Sequence, residues 1–209
     1  MLYSDDSRGR PFAKDPAVVR YGGRYLLYYT LPSYGDGRAG DGLAIGIAES
    51  KDLEDWRRVG EITPEADHEA NGLCAPGALV WEGRVHLFYQ TYGNGPRDAI
   101  CHAVSDDGLR FSRDVTNPII RPTGAWNCGR AIDADVVVDG DRLLLYWATR
   151  DPAFRIQMLG VSAAPLDSDW GRASWTQLCD APVLAPELPW EQECIEAPAV
   201  LKREGRLFM

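Results

Sequence analysis

No stretch of the 209 residues approaches the ~20 consecutive apolar positions of a membrane-spanning helix, so a membrane is not an expected partner. Runs of basic side chains are absent too. The 31 acidic residues outnumber the 22 Lys and Arg, giving a formal charge of −9. A field of that sign repels phosphate backbones and sets nucleic acid aside as a partner. Histidine is scarce, and His68, His86 and His102 show no i, i+4 spacing and are not expected to cluster. The five cysteines, Cys74, Cys101, Cys128, Cys179 and Cys194, contain no Cys-x-x-Cys pair. Such a scattered, odd set reads as reduced thiols rather than a disulfide framework or a zinc site. Met1 to Pro11 holds no apolar signal-peptide core, so a cytoplasmic location is expected, with a leader lost from a fragment left open. Helical periodicity is missing as well: no apolar series at helical spacing persists for three turns.

What is present is repetition. Four segments, opening at Asp15, Ala75, Asp133 and Ala197, share one layout. Each has a short polar or proline-bearing start, a few β-branched or apolar residues, a turn rich in Gly and Asp or Glu, an Arg, and a second apolar run. That is a β-hairpin. Arg24, Arg84, Arg142 and Arg206 each fall nine residues after the opening position, where they mark the start of the second strand. Pro16, Pro76 and Pro198 follow the opening residue directly, with Ala134 the one departure. A looser repeat lies between the hairpins. Ala44–Asp52 through Trp56 answers Ala99–Asp107 through Phe111, and a third copy runs from Ile156 toward Trp170.

Each unit of about sixty residues thus supplies about four strands, the content of one propeller blade. The expected fold is all-β, a β-propeller present as about three and a half blades in a single catalytic domain over residues 1–209. The last hairpin ends in mid-strand at Met209, which leads to the expectation of a C-terminally incomplete propeller.

Equivalent positions in a propeller form a ring around its axis. Acids at the starts of innermost strands therefore converge on one central cavity. Asp15 opens the first unit, Asp133 the third, and Glu196 immediately precedes the opening Ala197 of the fourth; the second has Cys74-Ala75 and no acid. A lone Asp-Pro is an ordinary turn signal. Three acids in register across repeats point to chemistry. Paired carboxyls cleave sugar acetals, one donating a proton to the leaving oxygen and the other activating water or attacking the anomeric carbon. Crowding like charges in a partly dry cavity holds a proton on one of them near neutral pH.

Asp-Pro in the first blade, Ile-Asp in the third and Glu-Ala-Pro in the fourth resemble glycoside hydrolase family 43 and the neighbouring five-bladed propeller families 32 and 117. The resemblance covers about Arg10 to Met209. It implies a five-bladed propeller glycosidase with Asp15 as general base, Glu196 as general acid, and Asp133 raising the proton affinity of that acid and orienting it. Family 43 inverts; in the related retaining families the same first aspartate is a nucleophile, and both roles stay open here. Ile-Asp-Ala stands where Ile-Asp-Pro is commoner.

No cofactor is expected and no metal ligand is named, although an axial calcium of the kind seen in some members is left open. The implied substrate is an oligosaccharide, or a fragment of a polysaccharide, with a terminal pentose or furanose. Alternatives are a phosphorylase or a non-catalytic sugar-binding propeller. Lys14, Glu69, Trp126, Arg130, Arg150 and Asp151 are candidate sugar contacts from their places beside inner-strand starts or on loops. Trp126 is a stacking candidate, and Asp135 is expected to support Asp133 from the same side of its strand.

Overall fold

A computed structural model describes residues 3–209. Its strands form three four-stranded antiparallel sheets and one two-stranded sheet, each in simple up-and-down order. The first blade contains β1 (Lys14–Tyr21), β2 (Arg24–Leu31), β3 (Ala44–Ser50) and β4 (Trp56–Ile62). The second contains β5 (Leu73–Trp81), β6 (Arg84–Thr91), β7 (Ile100–Ser105) and β8 (Ser112–Arg113). The third contains β9 (Ile132–Asp139), β10 (Arg142–Arg150), β11 (Gln157–Pro165) and β12 (Thr176–Gln177). A last hairpin pairs β13 (Leu201–Arg203) with β14 (Arg206–Phe208). Among the described residues the only helical turns are four three-residue 3-10 segments.

The hairpins follow the chemistry of their turns. Two residues separate the partner strands in every case, as in Tyr21↔Arg24 and Trp81↔Arg84. Glu82-Gly83 and Glu204-Gly205 take positive φ at both central residues. That turn matches the natural twist of the flanking strands. The four repeat arginines each open a second strand, as expected.

Much of the core lies between blades: β6 and β10 alternate their side chains between two neighbouring blades, while β2 turns one face to the second blade and the other to its own blade. Leu26 and Tyr28 pack with Val85, Leu87 and Tyr89 of the second blade, while Leu27, Tyr29 and Leu31 form a separate cluster with Ala44 and Ala48. In β10, Leu143, Leu145 and Trp147 face the second blade, whereas Leu144 joins Val200 and Leu207 of the last hairpin. Gly160 lies beneath the Trp147 indole, where a Cβ would come within 2.2 Å of the ring.

The looser repeat holds in two of its three copies. Ser50 and Ser105 accept backbone N–H groups from Asp52 and Asp107, whose carboxylates take the N–H groups of Glu54 and Asp55, and of Leu109 and Arg110. These acids build turns. The third copy departs, because Ser162 sits inside β11 and accepts the Trp147 indole N–H at 3.0 Å. Trp170 does not begin a strand; it is buried in the core, and β12 begins at Thr176.

Candidate active site

The inner strands β1, β5, β9 and the approach to β13 surround a channel of about 360 Å³. It is lined by the openings of all four repeats, Asp15–Val18, Ala75–Ala78, Asp133–Asp135 and Ala197–Ala199. The backbone there shares one distortion. Asp15, Ala75, Asp133 and Ala197 have φ of +53°, +46°, +52° and +54°. In each of the three complete blades the ladder gains one extra residue at this point, as between Lys14↔Thr30 and Ala17↔Tyr28. A bulge of this kind bends the strand and re-aims a side chain.

Packing around the channel is close enough to select residues. A Cβ on Gly77 would lie 2.4 Å from the Ala134 carbonyl, so β5 and β9 approach as only glycine permits. Adjacent blades are also clasped by side chains at one repeat position. Thr30 Oγ1 accepts the Ala75 N–H at 2.9 Å, and Gln90 Oε1 accepts the Asp133 N–H at 2.8 Å.

The three acids occupy distinct environments. Asp15 accepts the Thr30 hydroxyl at 2.8 Å and lies 3.4 Å from the Lys14 ammonium. Burial pushes the Asp133 carboxyl up to about 6; the negative charges of Glu196 and Asp15 add to this, and Lys14 and Arg130 oppose it. Asp133 thus keeps its proton to a higher pH than an ordinary carboxyl does, and it is ionised only as pH rises through about 6. Glu196 Oε2 accepts the side-chain N–H of Gln157. Cys74, beside Ala75, is a buried thiol whose ionisation is disfavoured by burial and by the nearby charges of Asp15 and Asp133.

The other candidates divide. Lys14 is 72% exposed and free to meet a ligand beside Asp15. Arg130 lies against Phe154 and 3.7 Å from Asp98, near enough to Asp133 to favour its charge. Arg150 donates to the Gln157 side chain at 2.9 Å and to the Phe154 carbonyl at 3.3 Å.

The structure places the remaining three candidates in different settings. Glu69 is fully buried, accepting the Tyr89 hydroxyl at 2.6 Å and lying 3.6 Å from Arg113, so no sugar reaches it. Trp126 stacks on Trp147 at 5.8 Å, giving its face to the core. Asp151 accepts the backbone N–H groups of Arg155 and Ile156, closing a turn.

Asp135 is half-buried and accepts the Val200 N–H at 2.5 Å, tying the third blade to the approach to the last hairpin. The histidines also depart from expectation, because His86 Nδ1 and His102 Nε2 lie 3.0 Å apart with stacked rings. Both are held neutral, near 4, mainly by burial. Among the described residues, no group of three or more His, Cys, Asp or Glu is arranged to hold a metal ion.

Residues missed from sequence are Thr30, Gln90 and Gln157. The first two share one repeat position, fifteen after the opening residue, which was a usable signal. Gln157 has no such mark.

A propeller whose inner-strand openings line one channel, with Asp15 and Asp133 in its wall and Glu196 adjoining it, belongs to a recognisable class of sugar-acting folds. The chain is a member of the glycosyl hydrolases family 43, whose model matches residues 9–209. It is similar to a 1,2-β-oligomannan phosphorylase of Thermoanaerobacter sp. (strain X514), at 29% identity over 188 residues, which cover 86% of this chain. The chain spans about half the length of that relative, 55%. Among solved structures, a thermostable family-43 glycoside hydrolase aligns with a TM-score of 0.69 and 22% identity, over 99% of this chain and 65% of that one. An α-L-arabinofuranosidase from Lactobacillus brevis aligns with a TM-score of 0.66 and 20% identity, over 93% and 61% of the two chains. At these identities the two structures speak for the fold.

Proposed function

We propose that this chain carries the carboxyl groups of a glycoside hydrolase that removes a terminal pentose or furanose with inversion. The observation that supports this best is the ring of equivalent strand starts, three of them bearing or adjoining an acid, around one channel. Glu196 gives its proton to the glycosidic oxygen as the bond to the anomeric carbon breaks and its electron pair passes to that oxygen. Asp15, oriented by the Thr30 hydroxyl, takes a proton from water as the water oxygen bonds to the anomeric carbon. Asp133 takes up a proton below about pH 6 and so limits the negative charge that the channel carries on the acid side of neutrality. Family membership favours a carbohydrate substrate; the arabinofuranosidase neighbour is consistent with a furanose but shares only the fold.

Phosphorolysis is the second reading, favoured by the 29% identical phosphorylase. It requires cations free to hold phosphate. Of the cations named around the channel, Lys14 is the exposed one, while Arg150 is already bonded within the chain.

A screen of aryl glycosides, with and without inorganic phosphate, separates the readings. Hydrolysis expects turnover independent of phosphate and an inverted free sugar by NMR. A sugar phosphate formed only with phosphate present would overturn it in favour of phosphorolysis, and a retained anomer would make Asp15 a nucleophile.

A further inference from the structure

The start of the fourth inner strand is held differently from those before it. Thr30 and Gln90 clasp the next blade through its backbone N–H, but their equivalent on β10 is Ala148, which has no polar side chain. The substitute comes from β11. Gln157 is 2% exposed, and its main chain grips the approaching segment twice. Its N–H donates to the Glu193 carbonyl at 2.8 Å, and its carbonyl accepts the Ile195 N–H at 3.0 Å. Its side chain then reaches the acid itself, with Nε2 donating to Glu196 Oε2. The amide oxygen accepts from Arg150 Nε at 2.9 Å, and that guanidinium is fixed by the Phe154 carbonyl and ring. A cation bonded to the amide oxygen polarises the amide N–H toward the carboxylate.

We propose that Gln157, backed by Arg150, is a positioning residue that decides which oxygen of Glu196 carries the catalytic proton. The inference rests on the reading of Glu196 as proton donor. With Oε2 accepting the amide hydrogen, the proton belongs on Oε1, which is then the oxygen that meets the leaving group. Without the amide, the carboxyl turns freely and the proton is shared between two oxygens, one of them facing away. Anchoring the segment does not require the amide, because the two main-chain bonds do that already.

Gln157→Met keeps those main-chain bonds and much of the volume while removing the donor. On a glycoside with a poor leaving group, kcat should fall about ten- to hundredfold, the worth of a hydrogen bond to a charged group, with KM nearly unchanged. On a dinitrophenyl glycoside, which needs little protonation, kcat should hold. Gln157→Glu, which sets a carboxylate against Glu196, should lose more than Gln157→Met on the poor leaving group. Equal losses on both substrates that track a fall in Tm would overturn the proposal and leave a structural role. A second measurement does not depend on turnover. In isotope-labelled protein the Gln157 side-chain amide resonances should move on Glu196→Ala; unmoved resonances would show that the contact is absent and sink the idea. A chain that cleaves no glycoside overturns the reading of the site, while the amide resonances still decide the contact.

Discussion

The Thr30 hydroxyl donates to Asp15 at 2.8 Å and accepts the Ala75 N–H at 2.9 Å, so one oxygen orients a carboxylate and joins two blades. Thr30→Val preserves shape and removes both bonds at once. It strips a partner from a carboxylate and leaves a buried N–H unpaired, which costs about 1–3 kcal/mol for the unpaired group. Thermal unfolding should show the loss, and turnover should drop about tenfold or more if the aligned Asp15 is worth a comparable amount. Thr30→Ser, which keeps the hydroxyl, should recover most of both.

Asp133 gives a stability that falls as pH rises. Its folded pKa, about 6, lies above the ordinary carboxylate value of 3.8, so the folded chain holds more protons through that window. The contribution is intact below the ordinary range and is lost as pH rises through about 6, at most about 3 kcal/mol for this shift. Asp133→Asn removes the titration and retains the backbone bond to Gln90. Melting curves should find the variant more stable than the parent at pH 7.5, with the gap closing near pH 4, and catalysis impaired.

Glu196→Gln removes the proposed proton donor. Turnover of glycosides with poor leaving groups should fall about 10²–10⁴-fold, and activated aryl glycosides should lose far less. Parallel kinetics on the two substrate classes provide the check; equal losses would assign the proton to another group.

Gly77→Ala places a methyl 2.4 Å from the Ala134 carbonyl, a backbone atom that cannot step aside. The inner strands β5 and β9 must part, at about 1–3 kcal/mol, the usual cost of overpacking. Because Asp133 is next to Ala134, kcat should fall together with Tm; a variant that melts lower but turns over normally would show that the channel adapts.

The hairpins and their ring were legible because local chemistry fixes them. The glycine-bearing turns set the register, and the repeated prolines and arginines mark the same positions in successive blades. What escaped is set by contacts between distant segments. Glu69 reads as a loop acid, yet Tyr89 and Arg113 enclose it from a neighbouring part of the chain. His86 and His102 look unrelated in sequence; the β6–β7 register pairs them with Val104 and Phe88, which sets the two imidazoles diagonally side by side. Gln157 lies 39 residues from the carboxylate it holds, and neither residue hints at the other.

The left-handed backbone at all four strand openings has a consequence for how such a site is altered. Ala75 and Ala197 adopt it with methyl side chains, so the distortion does not depend on an acid being present. Left-handed backbone costs an L-residue about 1–2 kcal/mol, and this chain bears that cost at every opening, charged or not. The geometry of the ring is therefore separable from its chemistry. Each opening behaves as a socket, and exchanging the side chain at Ala75 changes what faces the channel without requiring a new path for the backbone.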